Sequence, residues 1–504
     1  MSILKKLAGE TALYGVSTIL GRSLNFLLVA VHTRAFLPDE LGINVELYGY
    51  VAIFNILYTY GMETAYFRYA SRENPALYYN LALSAILLSS LLFTSLLVVF
   101  ATPIMNWLEY PGKESFLIWL ALILAIDAIV AIPFARLRLE KKAKLFVTAR
   151  IANILVNVGL NVLFLLGFKN ISEGHYLSNW QSLAKSLYNP SIGAGYIFLA
   201  NLIANACFFV FLWRQFADFK FTFRPQLFKT MWVYAYPIMI MGVASMVNMR
   251  TDILLLQHLL PDGFYPDRSA RTALGVYGNC YKLSVFMSLA INAFKFAAEP
   301  FFFSQAQDKS SPQTFALVMK WFVIVCVLLW VGVSLNLDAI GAFFLKKSIY
   351  REGLAVVPIL LLANLFLGIY YNLSVWFKLS DKTYYGTIIT FLGAGLTVVL
   401  NILLIPQLGY MGCAITFLLS CFLMTALCYW LGNIHYPIPY SLVSALGYIG
   451  SAGLLIWASS QIHFSDLWVA VPYHLALFIL YVAMIVVIER NTILPKRIRE
   501  RLKW

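Results

Sequence analysis

Polar residues recur at helical spacing inside two segments that are otherwise apolar enough to span a membrane. The segment 46–69 carries Tyr48, Asn55, Thr59 and Glu63. The segment 273–296 carries the corresponding set 229 positions later, namely Tyr277, Ser284, Ser288 and Asn292. Because steps of seven and four residues fall on one helix face, each segment has a polar stripe. Such a stripe is costly in hydrocarbon unless it faces protein or water, so two matched stripes predict a transport site between two repeats.

Cations inside apolar segments indicate what such a site would bind. Arg22, Arg250, Lys282 and, near the inner face, Lys295 each lie in a predicted span, where a charge at the membrane centre costs about 2.5–3.5 kcal/mol. Arginine presents a planar fork to a phosphate and lysine a point charge, so the set predicts an anion-binding cavity. Two alternatives stay open: Arg22 could pair with Glu63 or Asp127, and Arg250 could extend its charge to the membrane surface.

The predicted cavity combines these cations with neighbouring polar residues on the same helix faces. The substrate-binding set, in which Tyr48 and Tyr277 are expected to contact sugar, is Arg22, Asn25, Tyr48, Asn55, Arg250, Asp252, Tyr277, Lys282 and Ser284. Residues expected to act in coupling or gating are Glu63, Asp127, Lys295 and Glu299. The alternatives are a neutral or ion-paired structural role for Glu63, a hydrogen bond between helices for Asp127, and a structural pair of Lys295 with Glu299. The regularly spaced Arg150, Asn153, Asn157 and Asn161 favour hydrogen bonds between helices.

The composition of the chain indicates that these residues lie on membrane-spanning helices. The 504-residue chain is 61% hydrophobic and only 12% charged, about half the charged fraction of a soluble protein. About fourteen apolar runs are long enough to span a bilayer: 11–33, 47–69, 79–101, 115–135, 146–168, 192–213, 231–256, 273–296, 315–336, 354–377, 384–405, 410–431, 442–462 and 467–488. The sequence therefore predicts an all-α integral membrane protein.

The basic residues predict the orientation of the chain. They concentrate in alternate connections, most densely in 136–144 and 496–503, which places both termini in the cytoplasm. The net charge of +14 is thereby explained without nucleic acid. The six cysteines all lie in predicted spans, and no metal-ligand spacing or GxxxxGK loop occurs, so no cofactor is expected.

The repeat also predicts the domain organisation. Phe134–Phe146 corresponds to Ser374–Gly386, and Asn161 to Asn401, each 240 positions later. We expect an N-terminal six-helix lobe (1–213), an amphipathic cytoplasmic linker (214–230), a C-terminal six-helix lobe (231–434), and helices 13 and 14 with a basic tail (435–504). Even-numbered repeats predict a pseudo-two-fold axis along the membrane normal.

The run Leu400–Ala414, LNILLIPQLGYMGCA, resembles a segment of Wzx-type polysaccharide flippases of the multidrug/oligosaccharidyl-lipid/polysaccharide superfamily. Asn401, Ile405, Pro406, Gly409, Gly412 and Ala414 match that segment, and Cys413 replaces the commoner alanine. The stretch from Asp252 to Pro300 and the early Tyr14, Gly15, Gly21 and Arg22 are similar too. The resemblance implies two lobes around a central cavity, two extra helices, and transbilayer movement of undecaprenyl-diphosphate-linked sugars by alternating access.

The sequence thus predicts a flippase for lipid-linked oligosaccharide in the bacterial inner membrane, with polysaccharide polymerase and glycosyltransferases as expected partners. Two alternatives belong to the same superfamily: a lipid II flippase, whose first span usually carries Arg-Asp where Arg22 is followed here by Ser23, and a cation-coupled multidrug exporter. A third, a membrane-bound glycan polymerase or ligase, usually needs a large external loop. The longest external connection, 169–191, is short, so an enzyme is not expected.

Overall fold

A computed structural model describes residues 19–21, 23–71, 74–175, 177–266, 268–305, 311–380, 382–462, 464 and 466–493. Within these ranges the chain forms helices joined by short turns and contains no β-strand. The all-helical membrane fold predicted from the sequence is confirmed.

The first half of the chain forms eleven α-helices in the described residues. They are α1 (19–21 and 23–35), α2 (Pro38–Thr59), α3 (Met62–Ala70), α4 (Pro75–Val99), α5 (Ala101–Trp107), α6 (Glu114–Leu139), α7 (Ala143–Val162), α8 (Lys169–Ser172), α9 (Gln181–Leu187), α10 (Tyr196–Phe211) and α11 (Trp213–Ala217). A π-helical turn, Leu163–Phe168, joins α7 to α8, and 3₁₀ turns occupy Ser178–Trp180 and Pro190–Gly195.

The second half begins with the longest helix. Its helices are α12 (Pro225–Leu259), α13 (Ala270–Leu283), α14 (Val285–Gln305), α15 (Ser311–Leu335), α16 (Leu337–Phe344), α17 (Ser348–Arg351), α18 (Val356–Leu373), α19 (Val375–Leu379), α20 (Tyr384–Leu408), α21 (Tyr410–His435), α22 (Leu442–Ser460) and α23 (Leu467–Ile493).

Twelve helical segments of the described residues are long and apolar enough to cross a membrane, so the chain is a multi-pass membrane protein. Two of the fourteen predicted spans are not among them. Residues 11–18 and 22 of the predicted span 11–33 lie outside the described ranges. The predicted span 273–296 is divided, because α13 ends and α14 begins at Ser284, whose hydroxyl donates to the Tyr281 carbonyl oxygen at 2.8 Å.

The predicted span 47–69 also differs in detail, since two helices form it. Helix α2 begins at Pro38, nine residues before the predicted start of this span. The helix is interrupted at Tyr60 and Gly61, and α3 begins at Met62. Gly61 has φ of 72°, and a Cβ there would lie 2.7 Å from the Ala235 carbonyl oxygen, so only glycine fits without strain. The break separates Glu63 from the rest of the polar stripe, which was predicted to lie on one helix.

Helix packing brings the two halves of the chain into contact along α2. In the first half α4 packs on α6, and α10 packs on α6 and α7; in the second half α18, α20, α21 and α12 pack together. Helix α2 contacts α12 and α13, while α22 and α23 pack against α15. Between the halves, only 218–224 of the predicted linker lies outside helices. It lies across α4, where the Thr222 N–H donates to Ser84 Oγ at 2.9 Å.

The contact between α2 and α13 is unusually close because small residues form it. A Cβ on Gly275 would lie 1.9 Å from the Pro38 carbonyl oxygen, and a Cβ on Gly42 would lie 2.5 Å from the Arg271 carbonyl oxygen. A Cβ on Gly278 would lie 2.4 Å from a Val45 methyl carbon. We refer to this contact (Gly42, Val45, Gly275 and Gly278) as the α2–α13 seam.

Candidate functional site

A chain of side-chain amides crosses the interior of the first half. Asn153 on α7 donates to Asn205 on α10 at 3.0 Å, and Asn205 donates to the Asp127 carboxylate on α6 at 2.9 Å. Asp127, predicted to act in coupling, therefore lies in a hydrogen-bond network that links three helices. Buried polar groups need such partners because water is absent from the membrane interior.

The same face of α7 continues toward α1. The Asn157 amide donates to Asn25 Oδ1 at 3.3 Å, and Asn161 Oδ1 lies 2.8 Å from His32 Nε2. Asn25, one of the predicted cavity residues, is exposed on this face. The regular spacing of asparagines on α7 thus places amides toward α1 and α10, as the predicted hydrogen bonding between helices requires.

Tyr48 lies on α2 opposite the asparagines of α10. Its hydroxyl accepts a hydrogen bond from the Asn201 amide at 3.0 Å, and its ring packs 5.2 Å from the Phe198 ring. Asn55, two helical turns farther along α2, is half-buried. Its backbone carbonyl oxygen accepts a hydrogen bond from the Thr59 hydroxyl at 2.8 Å. These groups add hydroxyl and amide positions to the polar interior of the first half.

Arg150 provides a cation at the same helix face. Its guanidinium lies 4.3 Å from the centre of the Phe134 ring and 5.5 Å from that of Phe208. The side chain is nevertheless exposed, and no carboxylate of the described residues lies within 4.0 Å of it. Aromatic faces stabilise the guanidinium without neutralising its charge.

Asp252 and Tyr277, both predicted to line the cavity, form a buried pair in the second half. The Tyr277 hydroxyl donates to Asp252 Oδ2 at 2.5 Å, and the Ile253 N–H donates to Oδ1 at 2.8 Å. Tyr277 and Asp252 are 0% and 3% exposed. In this conformation the pair therefore lies between packed helices and has no open surface.

Two predicted cations of the second half lie near this pair, and Arg250 is within electrostatic reach of the Asp252 carboxylate. The Arg250 guanidinium lies 5.7 Å from the Tyr281 ring centre, and its Nε is buried without a hydrogen-bond acceptor among the described residues. The Lys282 ammonium donates to Asn279 Oδ1 at 3.1 Å and lies within electrostatic reach of His32 on α1. Neither cation forms an ion pair with a described residue.

The residues predicted for gating lie elsewhere. Glu63 on α3 forms an ion pair with Arg138 at the end of α6, and both side chains are about one-third exposed. Lys295 lies 3.9 Å from the Tyr371 ring centre beside a small cavity of about 30 Å³ that Lys378 also lines. Arg22 and the Glu299 side chain lie outside the described residues. Ser284 is the C-cap residue of α13.

One buried acid was absent from the predicted site. Glu46 on α2 is 0% exposed and contacts both Tyr110, in the turn before α6, and His258 near the end of α12. Burial and the adjacent carboxyl raise the pKa of the Tyr110 hydroxyl, so this group stays protonated. The sequence held a signal for the pair, since Glu46 and His258 each lie at the edge of an apolar run.

No protein-family model and no curated protein matches the sequence. Solved structures do match. The lipid II flippase MurJ, in an inward closed conformation, is 14% identical, and the alignment covers 96% of this chain and 100% of that chain with a TM-score of 0.72. An inward-facing multidrug resistance MATE family transporter of the MOP superfamily is 12% identical, with 88% and 96% covered and a TM-score of 0.61. A Vibrio cholerae MATE transporter is 13% identical, with 85% and 97% covered and a TM-score of 0.60. The chain therefore has the fold that MurJ and the MATE transporters share.

Proposed function

We propose that this protein moves undecaprenyl-diphosphate-linked oligosaccharide across the bacterial inner membrane by alternating access. The observation that carries the proposal is that Arg250 and Lys282 are half-buried among the helices and form no ion pair within 4.0 Å with a described residue, although Asp252 lies within electrostatic reach of Arg250. A half-buried cation without an ion pair is costly, so a site that holds two such cations beside one carboxylate favours an anionic ligand. A lipid diphosphate supplies that anion together with a tail that matches the membrane.

The polar interior of the first half supports a sugar as the rest of the ligand. Asn25, Asn157, Asn201 and the Tyr48 hydroxyl present donors and acceptors that match sugar hydroxyl groups. Arg150 adds an exposed cation on the same side. The two halves of the bundle would thus bind different parts of one amphipathic ligand.

A lipid II flippase is the second candidate. The full coverage of MurJ, which is named as a lipid II flippase, favours it, since the alignment includes nearly the whole of this chain. The two proposals share the chemistry of the diphosphate and differ in the sugar. A multidrug exporter is less well supported, because Lys282 and Arg250 would repel cationic drugs.

The proposal includes the orientation and organisation predicted from the sequence. Both termini lie in the cytoplasm, and two six-helix lobes (1–213 and 231–434) alternate around the site with 435–504 appended. A polysaccharide polymerase and glycosyltransferases would act on the ligand before and after its transfer.

The test uses purified full-length protein in liposomes and two fluorescent probes, an undecaprenyl-diphosphate oligosaccharide and lipid II. Lys282→Met and Arg250→Met keep side-chain volume and remove the charge, and each is expected to slow probe transfer about ten- to a hundredfold, the loss of one charge-assisted contact. Lys282→Arg is expected to retain part of the activity. Lys185→Met, at an exposed lysine of α9, is the matched control.

The outcomes separate the candidates. Preference for the oligosaccharide probe supports the proposal, and preference for lipid II supports the second candidate. If both Met variants transfer either probe at the rate of the Lys185→Met control, the cationic site does not bind a diphosphate and both proposals fail.

A further inference from the structure

Glu46 is a buried acid that the proposed ligand site does not use. It lies beside the α2–α13 seam, where α2 meets α12 and the turn before α6. Its Oε1 lies 3.1 Å from Nε2 of His258, and its Oε2 contacts the Tyr110 hydroxyl. Glu46 is 0% exposed, whereas the His258 side chain is 32% exposed.

Counting hydrogens around Tyr110 indicates where a proton is held. The Tyr110 hydroxyl also lies 2.7 Å from the amide oxygen of Gln257. One hydroxyl hydrogen cannot serve both the Glu46 and the Gln257 oxygens. With the Gln257 amide oxygen facing Tyr110, a protonated Glu46 resolves the conflict, since it donates to the Tyr110 oxygen while Tyr110 donates to Gln257. Neutral His258 then donates its Nε2–H to the other carboxyl oxygen of Glu46.

The charges around Glu46 also favour one bound proton. The described charged and titratable groups that face it are His258 on α12, Arg271 on α13, Tyr110, and Tyr50 on α2 itself. The Arg271 guanidinium lies over the Tyr110 ring at 4.7 Å but is also 3.9 Å from the Asp39 carboxylate, which shares its charge. One proton on Glu46 or on His258 leaves the two groups neutral in sum, whereas losing it leaves a net negative charge in a buried site.

A polar cavity connects this pair to solvent. The cavity has a volume of about 600 Å³ and is lined by His258, Gln257, Asp39, Glu109 and Arg271, among others. Its outer wall is the exposed turn between α12 and α13. Because His258 lines the cavity and contacts Glu46 through Nε2, its imidazole can relay the proton in the tautomer that carries hydrogen on Nδ1. Nε2 then accepts the carboxyl proton, and Nδ1 releases its own hydrogen to water in the cavity.

We propose that Glu46 and His258 form a proton-binding site that holds one proton while the α2–α13 seam is closed and releases it into the polar cavity when the seam opens. Opening exposes Glu46 to water, where an ordinary carboxyl group is ionised at neutral pH. Low pH therefore favours the closed seam, and rising pH weakens it. A proton gradient would then supply work to the transport cycle. The inference does not depend on the lipid diphosphate, and its test needs no transported ligand.

The first experiment detects the proton directly by infrared difference spectroscopy of the full-length protein between low and high pH. A carboxylic acid C=O band that disappears as pH rises is expected in the wild type and absent in Glu46→Gln. Glu109→Gln, at an exposed acid beside the same cavity, is the control and should keep the band. Loss of the band in both variants, or its persistence in Glu46→Gln, overturns the assignment.

The second experiment tests His258 and the seam, and guards against failure of Glu46→Gln to fold. In His258→Gln the carboxylate loses its potential cationic partner, so the band should persist to a pH higher by about 1 to 2 units. Spin labels at Ser115, at the start of α6, and at Asp262, in the turn between α12 and α13, are both exposed and should move apart as pH rises in the wild type. If the label distance in the wild type does not change with pH, or if its pH midpoint is the same in His258→Gln as in the wild type, the pair does not control the seam.

Discussion

The α2–α13 seam gives a direct way to bias the conformation of the protein with one methyl group. In Gly275→Ala the new Cβ would lie 1.9 Å from the Pro38 carbonyl oxygen and 2.6 Å from its carbonyl carbon. Ordinary contact begins at 3.4 Å, so the two backbones must separate by about 1.5 Å. Both contacting groups are backbone atoms, and no side chain can rotate away to relieve the clash.

The cost of this clash can be expressed as a change in population. Overpacking costs about 1–3 kcal/mol when the structure cannot relax, which is about a 5- to 150-fold change in an equilibrium constant. We expect Gly275→Ala to reduce the ratio of closed to open seam by that factor. Gly447→Ala on α22 is the control, because no atom lies within 4 Å of a Cβ at that position.

The assay is the distance between spin labels at Ser115 and Asp262, in a background in which half-buried Cys207 is replaced by serine. A longer distance is expected in Gly275→Ala and an unchanged one in Gly447→Ala. Gly278→Ala should behave like Gly275→Ala. Val45→Ala in the same chain should restore closure, because it removes the methyl carbons at 2.4 and 2.6 Å and leaves only the contact of 3.0 Å with the Val45 Cβ. If folded Gly275→Ala has the wild-type distance distribution, or if Val45→Ala does not rescue Gly278→Ala, the seam does not hold the halves together.

Three further predictions concern the stability and orientation of the chain. Asn205→Ala removes the donor to Asp127 at 2.9 Å and should lower the free energy of unfolding by about 1–3 kcal/mol; thermal unfolding measures it, with exposed Asn106→Ala as the control. Glu140 follows the end of α6. Burial alone would raise the pKa of its carboxyl group, but hydrogen bonds from Lys142 and Arg136 outweigh burial and lower the pKa from 4.5. The ionised Glu140 therefore stabilises the folded protein at neutral pH, and this stabilisation is lost as the pH falls below 4.5 toward the lower pKa of the folded state. Glu140→Gln should cost less than about 1 kcal/mol of folding free energy at pH 7, and its stability should depend less on pH in the acid range. A reporter fused after Trp504 should lie in the cytoplasm, and an external signal would contradict the predicted orientation.

The sequence predicts membrane fold and polar positions well because both depend on local pattern. Hydropathy locates apolar helices regardless of their partners, and a spacing of seven and four residues keeps side chains on one face. The asparagines of α7 illustrate this, since Asn153, Asn157 and Asn161 all hydrogen-bond across helix interfaces.

Partners were harder to predict because they depend on how distant helices meet. Tyr48 and Tyr277 correspond in the predicted sequence repeat, yet Tyr48 accepts a hydrogen bond from Asn201 on α10 and Tyr277 donates one to Asp252 on α12. Glu63 pairs with Arg138, 75 positions away. The helix interruptions at Gly61 and Ser284 were missed because apolar residues continue through both positions. At Gly61 the interruption depends on close contact with the Ala235 carbonyl oxygen, and at Ser284 it depends on a hydrogen bond from the serine hydroxyl to the Tyr281 carbonyl oxygen.

The proton-binding pair and the glycine contacts lie at the same helix interface, so each must affect the other. If Glu46 binds a proton more tightly when the seam is closed, thermodynamic linkage requires that a substitution that opens the seam also weakens proton binding. The loss of proton affinity cannot exceed the factor by which the substitution changes the ratio of closed to open seam. Gly275→Ala leaves Glu46, Tyr110 and His258 unchanged, yet its carboxylic acid band should disappear at a lower pH than in the wild type. The band in Gly447→Ala should keep the wild-type midpoint. A seam that opens in Gly275→Ala without any change in the midpoint would mean that the proton on Glu46 is structural and is not coupled to closure.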